Sequence, residues 1–320
     1  MAKHFEGRNG GYQTGQFYGG FVSAQEDSNL AIGGLQDNAT AVYLGETSWF
    51  RAIGGDGCWA AINEKDNYLF GSWQYSNIIK TNNLFETQHK LLLSNSGASF
   101  VNPYISCWQD PSVMYVAMPK IAKSTNSGDN WFLTANGEII SEGYAVSMAS
   151  SPFNDDVVFI GYAPSFVIEN TEIFRTTNGG DDWIDVTGNL PNRYPMDIAF
   201  DYQNENTLYI VFSGFGTSHL FKTTDLGETW IDIGEGLPDV PTSTVEVHPN
   251  NSDIIYVGND LGVYVSFDQG ETWNEFNAGL PDGVFSMDFS LSTSNDAIRL
   301  ATHGNGVYES KLLNEPLTSG

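Results

Sequence analysis

Four eight-residue stretches constrain this chain more than anything else in it: 124–131 (STNSGDNW), 176–183 (TTNGGDDW), 223–230 (TTDLGETW) and 266–273 (SFDQGETW). Each reads Ser or Thr, any residue, Asp or Asn, any residue, Gly, two further residues and Trp. The tryptophans fall 52, 47 and 43 residues apart, and self-similarity at a period of that size marks a solenoid or a propeller. Each stretch has the chemistry of a hairpin turn. The side-chain oxygen of Asn126, Asn178, Asp225 or Asp268 can accept backbone N–H bonds inside the turn, and the glycine supplies a positive φ. Trp131, Trp183, Trp230 and Trp273 then open the next strand and cover the turn. Turn chemistry accounts for all eight residues, so they are expected to be structural.

Strand-like runs surround these turns in a constant order. Short β-branched and aromatic segments bounded by Asn, Asp, Gly and Pro are the signal. The innermost strand of each repeat is expected at 17–23, 58–62, 104–108, 145–150, 196–200, 243–248 and 284–289, and second and third strands follow each of the seven. The fourth strand opens at the turn tryptophan. In the first two repeats the turn has decayed, to 45–49 (GETSW) and 81–88 (TNNLFETQ), and the seventh repeat has no fourth strand of its own. Residues 3–7 read like the outer strand of the sixth repeat. The expected fold is therefore all-β: one seven-bladed β-propeller of four-stranded antiparallel blades, closed by the N-terminal strand. Such closure removes the free sheet edges. The blades are expected at about 16–52, 57–93, 103–136, 144–188, 195–236, 243–279, and 284–311 with 3–8.

The turn pattern resembles the Asp-boxes of the BNR-repeat β-propellers, a group that includes sialidases, xyloglucanases and sortilin-type receptors. The stretch 16–38 (QFYGGFVSAQEDSNLAIGGLQDN), with 54–57 (GGDG), resembles BNR repeats of large secreted proteins of Bacteroidetes type. That resemblance implies an extracellular or cell-surface location and flanking domains of a longer chain. The opening MAKHFEG has no signal-peptide pattern and runs straight into strand-like sequence, as expected of a domain excised from a secreted protein.

In an antiparallel meander the turns between third and fourth strands share one face of the ring. The connections from second to third strand, and from fourth strand to the next blade, share the other. A ligand is expected at that second, loop-rich mouth. Two carboxylates of the first blade reach it, Asp37 in LQDN and Asp56 in GGDG, and paired carboxylates can act as general acid and base on a glycosidic bond. Asp260, in the turn IYVGNDLGVY, is similar to the strand–Asp–Gly turn that carries a catalytic Asp in xyloglucanases. For all three, a glycine-supported turn or a structural cation site, calcium included, is an alternative reason for the residue. Trp73, Tyr75, Phe166, Phe215, Tyr12 and Tyr18 lie on the same side and are candidates to stack on sugar rings or simply to pack strand ends. Gln36, His219, His303 and Arg193 complete the candidate ligand-binding set. No HxH or HExxH spacing supports a catalytic metal.

Charge narrows the partners. With 13 Lys+Arg against 39 Asp+Glu the chain carries a net charge of −26, which repels phosphate backbones and anionic membranes, so neither nucleic acid nor membrane insertion is expected. No run of 18 apolar residues spans a bilayer. A sialidase clamps its carboxylate substrate with three arginines. Of Arg8, Arg51, Arg175, Arg193 and Arg299, only Arg8 and Arg193 fall on loops at the mouth, and no Phe-Arg-Ile-Pro segment occurs. The expectation is a monomeric recognition module for a polysaccharide or protein, needing no cofactor, with a xyloglucanase-like glycoside hydrolase as the alternative. Cys58 and Cys107 are expected on inner strands of neighbouring blades as small buried hydrophobes.

Overall fold

The computed structural model describes residues 3–8, 14–84, 86–90 and 97–316. Within them the chain forms seven sheets of four antiparallel strands, and six of the sheets are consecutive meanders. The innermost strands stand side by side around an axis: Tyr144–Ser150 packs on Pro195–Phe200, which packs on Thr242–Val247 and then Ser286–Ser292. The fold is a seven-bladed β-propeller. Each blade is sandwiched between two others, so second strands such as Leu208–Phe212 (LYIVF) and Val158–Ala163 (VFIGYA) are buried at every position. This is why they read as continuous apolar runs rather than alternating ones. The core lies between blades. Phe159 and Ile173 of blade 4, for instance, cluster with Ile198, Leu208 and Phe212 of blade 5.

The seventh blade takes its outer strand from the other end of the chain. Glu6–Gly7 pairs with the third strand, Val307–Lys311, in the register Glu6↔Glu309 and Gly7↔Tyr308. Phe5 immediately precedes that outer strand, where other blades carry the turn tryptophan, and its ring meets Phe276 at 4.8 Å. The tryptophans do the same job elsewhere. Trp230 Nε1 donates to the Val186 carbonyl, and Trp273 Nε1 to that of Ile233. Trp49 Nε1 donates to the carbonyl of Arg8. In each case the acceptor is the residue just past the outer strand of the preceding blade. Trp183 reaches the hydroxyl of Thr134, at the same position.

The turns fold as their residues dictate. In 223–230, the Gly227 N–H donates to Thr223 Oγ1 (2.9 Å) and the Thr229 N–H to Asp225 Oδ1 (2.9 Å). The other three turns repeat this pattern. Blade 2 keeps it despite its altered sequence: Thr81 Oγ1 donates to Asn83 Oδ1, which accepts the Thr87 N–H. Blades are also tied by cations on third strands. Lys80 reaches the Ser127 carbonyl, Lys123 that of Gly179, and Arg175 that of Leu226, each in the turn of the following blade. At blade 7 the equivalent residue is Glu309, held by Arg8 (2.8 Å) and the buried Arg299 (2.9 Å).

Three inner strands depart from expectation: that of blade 3 is Tyr104–Ser106 rather than 104–108, so Cys107 lies just past its end, and that of blade 7 is Ser286–Ser292 rather than 284–289. The innermost strand of blade 1 is Val22–Ser23 rather than 17–23, with isolated bridges at Gln16 and Phe17. Gly20 takes φ +85°, and the Gly20 and Phe21 N–H groups turn to Asp288 Oδ2 of blade 7 (2.6 and 2.7 Å) instead of a neighbouring strand. Cys58 and Cys107 are buried and free. No helix among the described residues is long and apolar enough to cross a membrane.

Candidate functional site

The loop-rich face is shaped by the ends of the inner strands, several of which carry a register shift there: between Ala145 and Ser147, Pro195 and Asp197, Thr242 and Thr244, and Ser286 and Asp288. Such bulges re-aim the side chains that follow. At blades 1 and 2 two loops are bolted together. The Asp37 N–H donates to Asp56 Oδ1 (2.7 Å), Gln74 Nε2 donates to Asp56 Oδ2 (2.6 Å), and the Ala39 N–H donates to the Gly55 carbonyl (2.9 Å). The backbones approach so closely that a Cβ on Gly34 would stand 1.9 Å from the Cys58 carbonyl oxygen.

The structure brings Asp37 and Asp56 into direct hydrogen-bond contact. The Asp37 carboxyl is held above the ordinary carboxylate range, first by its hydrogen bond to Asp56 and then by that neighbour's charge. Asp56 is held below it, first by the Asp37 N–H, and the Gln74 amide adds to the effect. Burial and then the charges of Asp56 and Asp37 raise the Tyr18 hydroxyl. The Tyr18 ring lies 6.3 Å from His303, whose Nδ1 is 3.2 Å from the Phe17 carbonyl. Gln36 is anchored by its N–H on the Gln16 carbonyl. Trp73 stands beside Gly55, and Tyr75, with φ +60°, meets Phe100 edge-on at 5.6 Å. Sequence reasoning missed Gln74 and Phe100. Gln74 is adjacent to two named aromatics, but only the folded loops put its amide on Asp56. Tyr12 lies outside the described residues.

A second group forms at blade 5. His219 meets the Phe212 carbonyl at Nδ1 (3.0 Å) and Asp239 Oδ1 at Nε2 (2.9 Å). Asp239 also accepts the Gly216 N–H, and Arg193 donates to the carbonyl of the exposed Phe215. The His219 contact, followed by the Gly216 N–H, holds Asp239 below the ordinary range. Asp239 was not among the sequence candidates. Asp260 lies on blade 6, with its N–H donating to the Pro241 carbonyl of the loop that carries Asp239, and burial raises its carboxyl.

Three more carboxylates, invisible as a group in the sequence, line the axial channel around a cavity of about 130 Å³ with Trp108 and Tyr202. Asp288 accepts N–H groups of blade 1, as above. Asp197 of blade 5 accepts Thr244 Oγ1 (2.9 Å) and the Val245 N–H (3.0 Å) of blade 6. Burial raises all three, Asp197 to about 6, Glu246 to about 8 and Asp288 well above the ordinary value. Asp197 and Asp288 follow a bulge and tie their blade to the next, so they are ties first. No group of three or more His, Cys, Asp or Glu among the described residues is arranged to hold a metal ion.

No protein-family model matches the chain, and no curated protein matches it. Solved structures do. A GH74 enzyme from Niastella koreensis superposes with a TM-score of 0.73 at 18% identity over 98% of this chain. The GH74 xyloglucanase from Xanthomonas campestris gives 0.70 at 14% over 98%. YCF48 from Cyanidioschyzon merolae gives 0.70 at 13%, covering 96% of this chain and 98% of its own. This chain spans about half of each GH74 enzyme, 54%. Likeness at such identities shows the fold alone.

Proposed function

We propose that this chain is a BNR-type propeller acting as a recognition module, taking a polysaccharide or protein ligand at its loop-rich face within a larger secreted protein. The observation that carries this reading is how the mouth carboxylates are used. Glycosidases need two carboxyls about 5–10 Å apart with room for sugar or water between them. The Asp37 backbone N–H is instead bonded to Asp56, which spends both oxygens bolting the blade 1 loop to blade 2. Asp260 sits in another blade with no contact to either. The arrangement suits a rigid recognition surface better than acid–base work. A YCF48 structure with a bound D1 peptide, TM-score 0.68, is a propeller of this shape holding a polypeptide. The alternative, a xyloglucanase-like hydrolase using two of Asp37, Asp56 and Asp260, draws on the GH74 likeness. Structural calcium, a monomeric state and an extracellular location belong to the proposal. The test is a glycan and peptide array paired with a turnover assay on plant and algal polysaccharides. Binding without turnover is expected. Turnover abolished by Asp37→Asn or Asp56→Asn would replace this reading with the hydrolase.

A further inference from the structure

The loop-rich face divides chemically. Blades 1 and 2 carry the carboxylate pair and amides beside the single ring pair Tyr75–Phe100, whereas blades 4 to 7 carry a longer series of large apolar side chains standing in water: Tyr144, Phe166, Tyr194, Phe215, Leu261 and Phe285. Phe166 is 99% exposed and Phe215 61%. Large apolar side chains exposed on four successive blades of one face mark a candidate interaction site.

Neither phenylalanine sits on a loose loop. Ser165 braces the Phe166 loop three times: its hydroxyl donates to the Glu142 carbonyl (2.9 Å) and accepts the Val167 and Ile168 N–H groups (3.0 and 3.2 Å). Phe215 is set between Gly214 and Gly216, both at positive φ, with the Gly216 N–H on the Asp239 carboxylate and Arg193 on the Phe215 carbonyl. Two separately braced loops therefore present an aromatic ring outward. Ordering a ring without burying it is unfavourable alone, and a partner offsets that cost.

Charge identifies the partner. Glu142, Glu169, Asp239, Asp260 and Asp282 rim the arc, and Arg193 is the one Lys or Arg among the described residues of these loops. We propose that the arc over blades 4 to 7 docks an extended polypeptide segment in which Lys or Arg alternates with large apolar residues, the rings taking the apolar side chains and the rim carboxylates the cations. This rests on the recognition reading above and narrows it. A neutral glycan would leave the rim carboxylates without a counter-charge, whereas a cationic segment supplies one. A second copy of the chain would bring the same acidic face, and like charges meeting across an interface oppose association.

The test uses three sets of synthetic 15-residue peptides, matched in length: Lys/Leu/Phe, Glu/Leu/Phe and Lys/Ser. Each is titrated by fluorescence anisotropy against the whole chain and a Phe166→Ser/Phe215→Ser variant. Both substitutions are on exposed side chains, so the variant is expected to keep its melting temperature. The Lys/Leu/Phe set should bind best, more weakly in raised salt, and the double variant should lose about 30-fold or more, the scale of a two-ring hot spot. Equal binding by the variant, or by the Lys/Ser or Glu/Leu/Phe sets, overturns the proposal. So does a wild-type dimer in sedimentation that the variant abolishes, which would make the arc a self-association surface. Glycan binding retained by the variant but lost in Asp56→Asn would sink this inference while leaving the recognition reading intact.

Discussion

Removing the Glu309 carboxylate tests how the ring is closed. Its side chain is 11% exposed and accepts from Arg8 at 2.8 Å and from Arg299 at 2.9 Å. Arg299, 2% exposed, also donates to the Leu30 and Ser28 carbonyls and lies over the Tyr43 ring at 5.1 Å. Glu309→Ala would leave that guanidinium buried among neutral groups, a loss of about 3–5 kcal/mol. Arg8 is 28% exposed, so water screens its share and favours the lower part of that range. At about 2.1 cal/mol/K of unfolding entropy per residue, the chain should melt about 4–8 °C lower, measured by scanning calorimetry at pH 7. Arg299 and Arg8 hold the Glu309 carboxyl below its ordinary value against the opposing effect of burial. Its contribution is therefore complete above the unfolded pKa of about 4.3 and disappears as pH falls through the lower folded value. The gap between wild type and variant should be constant from pH 5 upward and narrow below about pH 4. A shift under about 1 °C at pH 7 would refute the closed, charge-tied seam.

The channel carboxylates have the opposite sign. Asp197, Glu246 and Asp288 are raised above unfolded values near 4, so their protonated forms stabilise the ring at low pH, and that contribution is lost as pH rises through about 6 to 8. The melting temperature should fall between pH 5 and pH 9, and Glu246→Gln should flatten the fall; a flat wild-type profile would contradict the burial argument. Trp230→Ala removes a side chain 5% exposed with its Nε1 on Val186, and should cost about 3–5 kcal/mol, read from urea midpoints. Phe132→Ala, on an exposed outer strand, should move the midpoint little. Burial pushes the Cys58 thiol up to about 12 and raises Cys107 further, so a thiol reagent at pH 8 should label neither until denaturant is added, and then both; rapid native labelling would show an open channel.

Sequence alone carried the architecture a long way, because the turn motif repeats at blade spacing and each turn closes on its own side chains. The strand ending at Gly7 was legible as the missing outer strand, yet Phe5 as the stand-in for a turn tryptophan was not, since it lies in a different sequence context from Trp183 or Trp230. The turn of blade 2 read as decayed because Gln88 replaces tryptophan, although Thr81 and Asn83 preserve its hydrogen bonds. Site residues were harder. Asp37 and Asp56 were both visible, but their contact depends on two loops meeting across a blade boundary. Asp197, Glu246 and Asp288 read as ordinary polar positions in amphipathic strands, and only the ring points them all at one axis.

Glu6 finds its partner in Glu309, roughly 300 residues further along. At about 5–20 residues per second, synthesis takes about 15–60 s to travel between them. Throughout that interval the opening segment lacks its strand partner while a horseshoe of blades grows beside it with two unpaired borders. Attachment of that segment is thus a final latch. Anything that holds the leading residues elsewhere, whether a fused neighbour or a chaperone, can decide when the horseshoe becomes a circle.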